Sequence, residues 1–480
     1  MSNHRMPAGT KISLAGKIIT LCFLLVGCSL YRSPLDKDMP EFPSAFQRQV
    51  EQPAPSTDRW WLLFEDPALN GLIDDMLRDN PDLKEASARW RRFMAEYKIT
   101  DSARKITVNL SASGGRERVP SAVGARTDNI FGASVAAGYE VDLWNKLSAD
   151  SRAALGEIFA TEADVQALYI SLTASVGDLY YQIIESKHQV LLLRQTIESF
   201  RQALDLVENK YLQGVVSILD VYQAQQNLAE ALAQRPNLEQ ELAVREHALS
   251  LLVGRYPQVG GGGDKQELPP VPPPLPVELP ATVLKRRPDI QAALLRLKAA
   301  DARVEAAVAD RFPSFNLAAA AGYTASEVSN LFQADHFFWD VIGQLIQPVI
   351  DGGKRTAEVE RRKAQYEELL NNYRRAVLRA FQEVEDAVVK NINREARIAR
   401  LKDLVETSAN VLEVSLYQYV QGVSDYLPVL TAQKNYYLAK RQLITDRRAL
   451  IGDRIELARV LGGSWQQPAV EERLSARMQE

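Results

Sequence analysis

The chain has 480 residues, 46% of them hydrophobic and 25% charged, with a formal net charge of −4. Four histidines and two cysteines, both cysteines within the first 28 residues, leave no His/Cys cluster for a zinc site and no disulfide framework. The mildly acidic balance argues against nucleic acid as a partner.

The first element is a targeting segment. "KISLAGKIITLCFLLVGCSL" sets Lys11 and Lys17 ahead of an apolar run, 18–26, that is too short to span a bilayer. The run ends in "LVGC" (25–28), which resembles the lipobox of bacterial lipoproteins. Small residues there let a peptidase approach the backbone, and the Cys28 thiol takes the lipid, palmitate or another acyl chain. Residues 1–27 are therefore expected to be removed, with Cys22 and three cations. Ser29, rather than an aspartate, implies by the same resemblance passage to the outer membrane. No later apolar run reaches the ~18 residues of a membrane helix, so any crossing must be made by strands.

After an N-terminal segment (28–67), the chain reads as one unit written twice. "YLQGVVSILDVYQAQQNL" (211–228) returns as "YVQGVSDYLPVLTAQKNY" (419–436), and "NPDL" (80–83) answers "RPDI" (287–290). "LLVGRYP" (251–257) answers "VLGGSW" (460–465). The repeats cover 68–259 and 280–465, joined by a Gly/Pro linker (260–279) read as a glycine hinge and a stiff proline segment. Residues 466–480 form a tail. A period this long excludes a solenoid.

Each repeat is expected to run helix, strand, strand, long helix, turn, return helix. The first helices cover roughly 68–103, with Pro81 marking an early break, and 280–310, again with a proline, Pro288, near its start. Strands are expected at 105–115 and 129–144, flanking a polar turn, and at 312–323 and 337–350. In the second strand Phe131, Ala133, Val135, Ala137, Tyr139 and Val141 face one way, opposite Ser134, Ala136, Gly138, Glu140 and Asp142. That alternation fits a barrel wall between lipid and water, or an ordinary half-buried hairpin. From about Lys146 to Tyr211, and again from Lys354 to Tyr419, there is no proline and strong helix formers dominate. Such rods are ~100 Å long. Ile398, Leu401, Val405, Ser408, Leu412, Ser415 and Tyr419 mark a coiled-coil seam. The return helices span about 216–255 and 424–462, and Pro236 is expected to kink or loosen the first.

Catalytic motifs are missing from this sequence. It has no G-x-S-x-G and no Walker loop, and "GGGGD" (260–264) lacks the Lys-Ser/Thr of a phosphate loop. Paired carboxylates such as Glu383/Asp386 and Glu367/Glu368 read as solvated helix faces. No catalytic residue, metal ligand or cofactor other than the Cys28 lipid is assigned.

Four strands cannot close a barrel, and an open sheet in lipid leaves unpaired backbone edges. Three chains would supply twelve strands, with their helices continuing as a second barrel. The expected fold is thus mainly α with a small β part: an antiparallel helical coiled-coil barrel plus a shared 12-stranded transmembrane barrel. Gly214 and Gly422 end the long rods, and the apolar Val215 and Val423 follow them. Those valines either staple the turn or form docking knobs.

The lipobox, the duplicated halves, "NPDL"/"RPDI", "YEVDLW", "QPVIDGGKR", the "YxxGVxxxLxVxxAQ" tips and "LGGSW" together resemble the outer membrane factors of TolC type. They are nearest the lipoprotein subgroup paired with resistance-nodulation-division pumps. The resemblance implies a homotrimeric efflux duct embedded in outer-membrane lipid and coupled through a periplasmic adaptor to an inner-membrane pump. It implies adaptor docking at Gly214, Val215, Gly422 and Val423. It also implies a periplasmic gate near Leu219, Asp220, Asp425, Leu427, Thr431 and Lys434. Thr431 stands where pump-associated relatives often carry an acid. A type I secretion channel and a non-conducting coiled-coil lipoprotein are the alternative readings.

Overall fold

The computed structural model describes residues 31–39, 59–121, 124–261, 263–274 and 286–462. The signal segment, Cys28 and the tail 466–480 lie outside the described residues.

The duplication is visible in the helix bounds. The helices are α1 (Leu35–Asp38), α2 (Pro67–Asp79), α3 (Pro81–Ser102), α4 (Lys146–Leu212), α5 (Ile218–Leu252), α6 (Pro288–Ala309), α7 (Lys354–Val420) and α8 (Tyr426–Val460). The long helices α4 and α7 have 67 residues each, and the return helices α5 and α8 have 35 each. The break expected at Pro81 is observed: the first helix of this half is divided at Asn80, because Pro81 lacks an N–H and opens a new helix instead. Pro236 leaves α5 unbroken; it only withholds an N–H from the carbonyl of exposed Leu232. The coiled-coil seam is observed as read: Ile398, Leu401, Ser408, Ser415 and Tyr419 are buried, with Val405 and Leu412 half-buried between them.

The chain forms two compact units. The first (Met1–Met39, Met94–Glu157 and Arg296–Leu370) holds an antiparallel sheet of order β1-β2-β3-β4. Its strands are β1 (Thr107–Ser121), β2 (Gly124–Val141), β3 (Ser314–Ala325) and β4 (Phe337–Ile346). Directly opposed residues share a face, so the register decides what each face carries. Leu110, Val135, Ala321 and Trp339 form one rank across all four strands, and Val108, Ala137, Ala319 and Val341 form the next. Behind them Asn109, Ala136, Ala320 and Asp340 align, as do Glu140, Asn316 and Gln344. One face is therefore apolar from the Val141 level up to Phe131, and the other is mostly small and polar except on β4, where Phe338, Ile342 and Ile346 share it. Among the described residues no helix is long and apolar enough to cross a membrane.

The strand bounds differ from expectation most at the β1–β2 hairpin and at the end of β4. The polar stretch 116–128 is strand for most of its length, with Arg116 opposite Asn129 and Arg118 opposite Thr127. Polar residues there satisfy the pleat because both faces of this extension are solvated. β4 ends at Ile346, four residues early, before Pro348, which cannot donate to a ladder.

At the strand–helix junctions the halves use one device. Asn145 (φ 61°) and Gly353 (φ 83°) occupy the left-handed region one residue before α4 and α7. Asp142 accepts from the Leu147 and Ser148 amides at 3.0 and 2.8 Å, and Asp351 accepts from Gly353 and Arg355 at 3.0 and 3.2 Å. A carboxylate on the free amides of a helix start is stabilising. Trp144 then ties the halves together by donating to the Pro313 carbonyl at 2.7 Å and stacking near Phe312.

The second unit (Pro40–Phe93, Ile158–Leu295 and Asn371–Glu480) is helical. Its core sets Trp60, Trp61 and Phe64 against Tyr180, Tyr181 and Ile455. The "NPD" and "RPD" motifs have a shared role. Asn80 donates to the carbonyl of Leu252, the last residue of α5, at 2.8 Å; Arg287 donates to that of Val460, the last residue of α8, at 3.2 Å. The chain passes so close that a Cβ at Gly254 would meet the Asp79 carbonyl at 2.5 Å, and one at Gly462 the Arg286 carbonyl at 3.2 Å. The motifs "LLVG" and "NPD" are thus two sides of one contact, made twice.

The expected glycine hinge is pinned. Gly260 donates to Glu246 at 2.9 Å, Gly263 accepts from Lys187 at 2.6 Å, and Lys265 pairs with fully buried Asp66 at 2.8 Å. These glycines supply positive φ rather than freedom of motion.

Candidate functional site

Both long helices end in the same backbone turn. At the first tip, Gly214 donates to Tyr211 and Val215 to Lys210, at 2.8 and 3.0 Å. At the second, Gly422 donates to Tyr419 and Val423 to Gln418, at 3.1 and 3.0 Å. This is the Schellman pattern, and it requires the left-handed residue: both glycines have φ of 73°. A β-carbon there would be strained, which is why glycine recurs at this point of each half.

The side chains around the two turns differ. Val207, Val221, Ala224, Tyr419, Tyr426 and Val429 form a buried cluster, with Val216 and Leu430 at its margin. The Tyr419 and Tyr426 rings lie 5.3 Å apart. Lys210 reaches from the end of α4 to the end of α7, donating to the Tyr419 and Val420 carbonyls at 2.7 and 3.1 Å with its ammonium 4.6 Å from the centre of the Tyr419 ring. A cation on the last carbonyls of a helix answers both the unpaired acceptors and the negative end of the dipole. Burial and, next, the nearby Asp220 charge push the Tyr419 phenol up to about 12; burial does the same to Tyr426.

The residues expected at the site fall into three groups. Val215 and Val423 are 61% and 77% exposed, and Leu219 and Leu427 project into solvent beyond them. Asp220 sits half-buried beside the two tyrosines, whereas Asp425, at the N-cap position of α8, is exposed and its side chain caps no amide. Thr431 turns back onto the Leu427 carbonyl at 2.9 Å, and Lys434 pairs with Glu230 at 3.5 Å across the two return helices. The structure thus joins Asp220 to the tyrosine cluster and Lys434 to α5, and leaves Asp425 apart from both. Lys210 and Tyr426 escape sequence reading. The one available signal is that the duplication breaks there: Gln418 and Ile218 occupy the matching positions.

Residues 72–255 and 279–463 match the outer membrane efflux protein family, one half-repeat in each span. The chain is 29% identical to a toluene efflux pump outer membrane protein, TtgF of Pseudomonas putida, over 97% of this chain and 98% of that protein. It is 28% identical to the pyoverdine export outer membrane protein OpmQ of Pseudomonas aeruginosa, covering 94% and 96% respectively. Among solved structures, the outer-membrane channel OprN superposes with a TM-score of 0.86 at 27% identity, covering 91% of this chain and 99% of that one.

Proposed function

The chain belongs to the outer membrane efflux protein family, and from that premise we propose that it is the passive exit duct of a tripartite efflux system, working as a homotrimer in the Gram-negative outer membrane. It is a channel and not an enzyme. The observation that carries the duct reading is the unbroken apolar rank across β1–β4, backed by a polar rank, in a four-stranded sheet whose outer strands β1 and β4 each pair with one neighbour among the described residues. Unpaired edges cost several kcal/mol per group in lipid. Three sheets joined edge to edge give twelve strands and remove that cost.

The adaptor docks on the tips at Gly214, Val215, Gly422 and Val423, where apolar side chains stand in solvent around a rigid turn. Leu219, Asp220, Asp425, Leu427, Thr431 and Lys434 line or brace the gate of the assembled duct. The pump is of the resistance-nodulation-division type, and Cys28 carries a lipid that holds the chain at the inner leaflet. Relatives export toluene or pyoverdine by name; by that likeness the cargo is a small organic molecule rather than a polypeptide.

Two variants test this. The Gly422→Asp/Val423→Asp pair is expected to reduce efflux to the level of a deletion while leaving the trimer at wild-type abundance in the membrane. Resistance that persists would remove the tips from the docking surface. Cys28→Ala is expected to end incorporation of labelled fatty acid, and a chain still labelled would reject the lipid assignment.

A further inference from the structure

The apolar face of the sheet has an upper limit. On β2 it runs from Val141 to Phe131, ten residue steps. At ~3.4 Å per step that is ~34 Å of strand, or ~26 Å of height at a barrel tilt of ~40°, close to the thickness of an apolar membrane band. β3 ends its pairing at Phe131, opposite Ala325, and beyond that level the β1–β2 hairpin continues alone. The same face then changes character. Two steps on it carries Arg116 opposite Asn129, and two steps further Arg118 opposite Thr127. Both arginines are exposed, and among the described residues neither has an ion-pair partner. At the same height the other face carries Glu117, Asp128 and Arg126, with Arg126 held by Asp128 at 2.7 Å. One face therefore presents two arginines without ion-pair partners among the described residues, their Cα positions ~7 Å apart directly above the apolar band, and the other is net acidic.

We propose that Arg116 and Arg118 bind the phosphates of a phosphorylated glycolipid in the outer leaflet, the lipid's acyl chains lying along the Leu110–Val135 rank beneath. The proposal rests on the reading that this sheet spans the outer membrane. Guanidinium pairs with phosphate bidentately, and the rim of a bilayer leaves both groups only partly hydrated, which strengthens the pair. Height matters as much as charge. Asn129 and Thr127 flank the arginines and add hydroxyl and amide donors at the headgroup level, while Phe131 marks the hydrocarbon boundary below. A free phosphate would find the charges but not the apolar half of the site.

The test uses the purified full-length trimer in detergent, titrated with bisphosphorylated lipid A and read by native mass spectrometry. Wild type is expected to retain the lipid, and Arg116→Gln/Arg118→Gln to lose at least tenfold in apparent affinity. Arg126→Gln, on the other face, is expected to bind as wild type does, and Arg116→Lys/Arg118→Lys to keep part of the affinity. Dephosphorylated lipid A and inorganic phosphate are expected to bind at least tenfold more weakly. Wild-type affinity in Arg116→Gln/Arg118→Gln, an equal loss in Arg126→Gln, or equal binding of inorganic phosphate would each overturn the proposal. Insertion into phosphatidylcholine bilayers reports separately on whether the sheet spans at all.

Discussion

The two tips of the molecule share a backbone and differ in their anchoring. Tyr211 and Tyr419 occupy the same place in the repeat, yet Tyr211 is 41% exposed and Tyr419 only 2%. The next matched pair, Ile218 and Tyr426, repeats the contrast: one half in solvent, the other packed against a second ring. Lys210 completes the asymmetry, because it leaves the first tip to close the end of the second, and its counterpart Gln418 does not return the contact. Duplication therefore preserved the left-handed glycine, its amide pattern and the buried Val221/Val429 and Ala224/Ala432 pairs, and changed the aromatic and cationic anchoring around them. The first tip is free to meet neighbours; the second is held by the first.

The sharpest way to break that contrast is to remove the buried ring. Tyr426→Ala deletes a fully packed aromatic and is expected to cost about 3–5 kcal/mol locally. The same truncation at Ile218, a half-exposed position, is expected to cost less than about 1 kcal/mol. Amide exchange over 415–430 for Tyr426→Ala and over 207–222 for Ile218→Ala measures each locally: the first should speed a hundredfold or more and the second little, and equal effects would erase the distinction. A smaller change comes from Lys210→Met, which loses the carbonyl contacts and the cation–π contact, about 1 kcal/mol in all. Exchange at 415–423 is expected to rise several-fold, while Gln418→Lys leaves 207–215 as it was. A matching response in both tips would mean that the latch runs in both directions.

Much of this was legible in the sequence, and the limits have physical causes. The bounds of α4 and α7 could be read because Gly214 and Gly422 close both rods at the same offset, and a proline-free run of strong helix formers has no reason to stop before them. The coiled-coil seam followed from its spacing alone. The upper part of β1 and β2 was misread as a turn because Arg116, Glu117, Arg118 and Asp128 look like loop residues, and only the register shows them paired. The linker looked like a hinge because glycine permits motion, whereas here Glu246 and Lys187 hold it. Lys210 and Tyr426 were invisible for a different reason. Each gains its role from a partner in the other half of the chain or across a turn, and no local pattern records such a contact. The same holds for Asn80 and Arg287: their motifs repeat in the sequence, but their task, binding the final carbonyls of the return helices, depends on a partner about 170 residues away.

The conduit itself is tested most directly in a planar bilayer. The purified protein is expected to run as a heat-resistant trimer and to produce discrete, reproducible conductance steps with no energy source. An intact trimer that inserts and stays electrically silent, or a preparation that is strictly monomeric, would contradict the account.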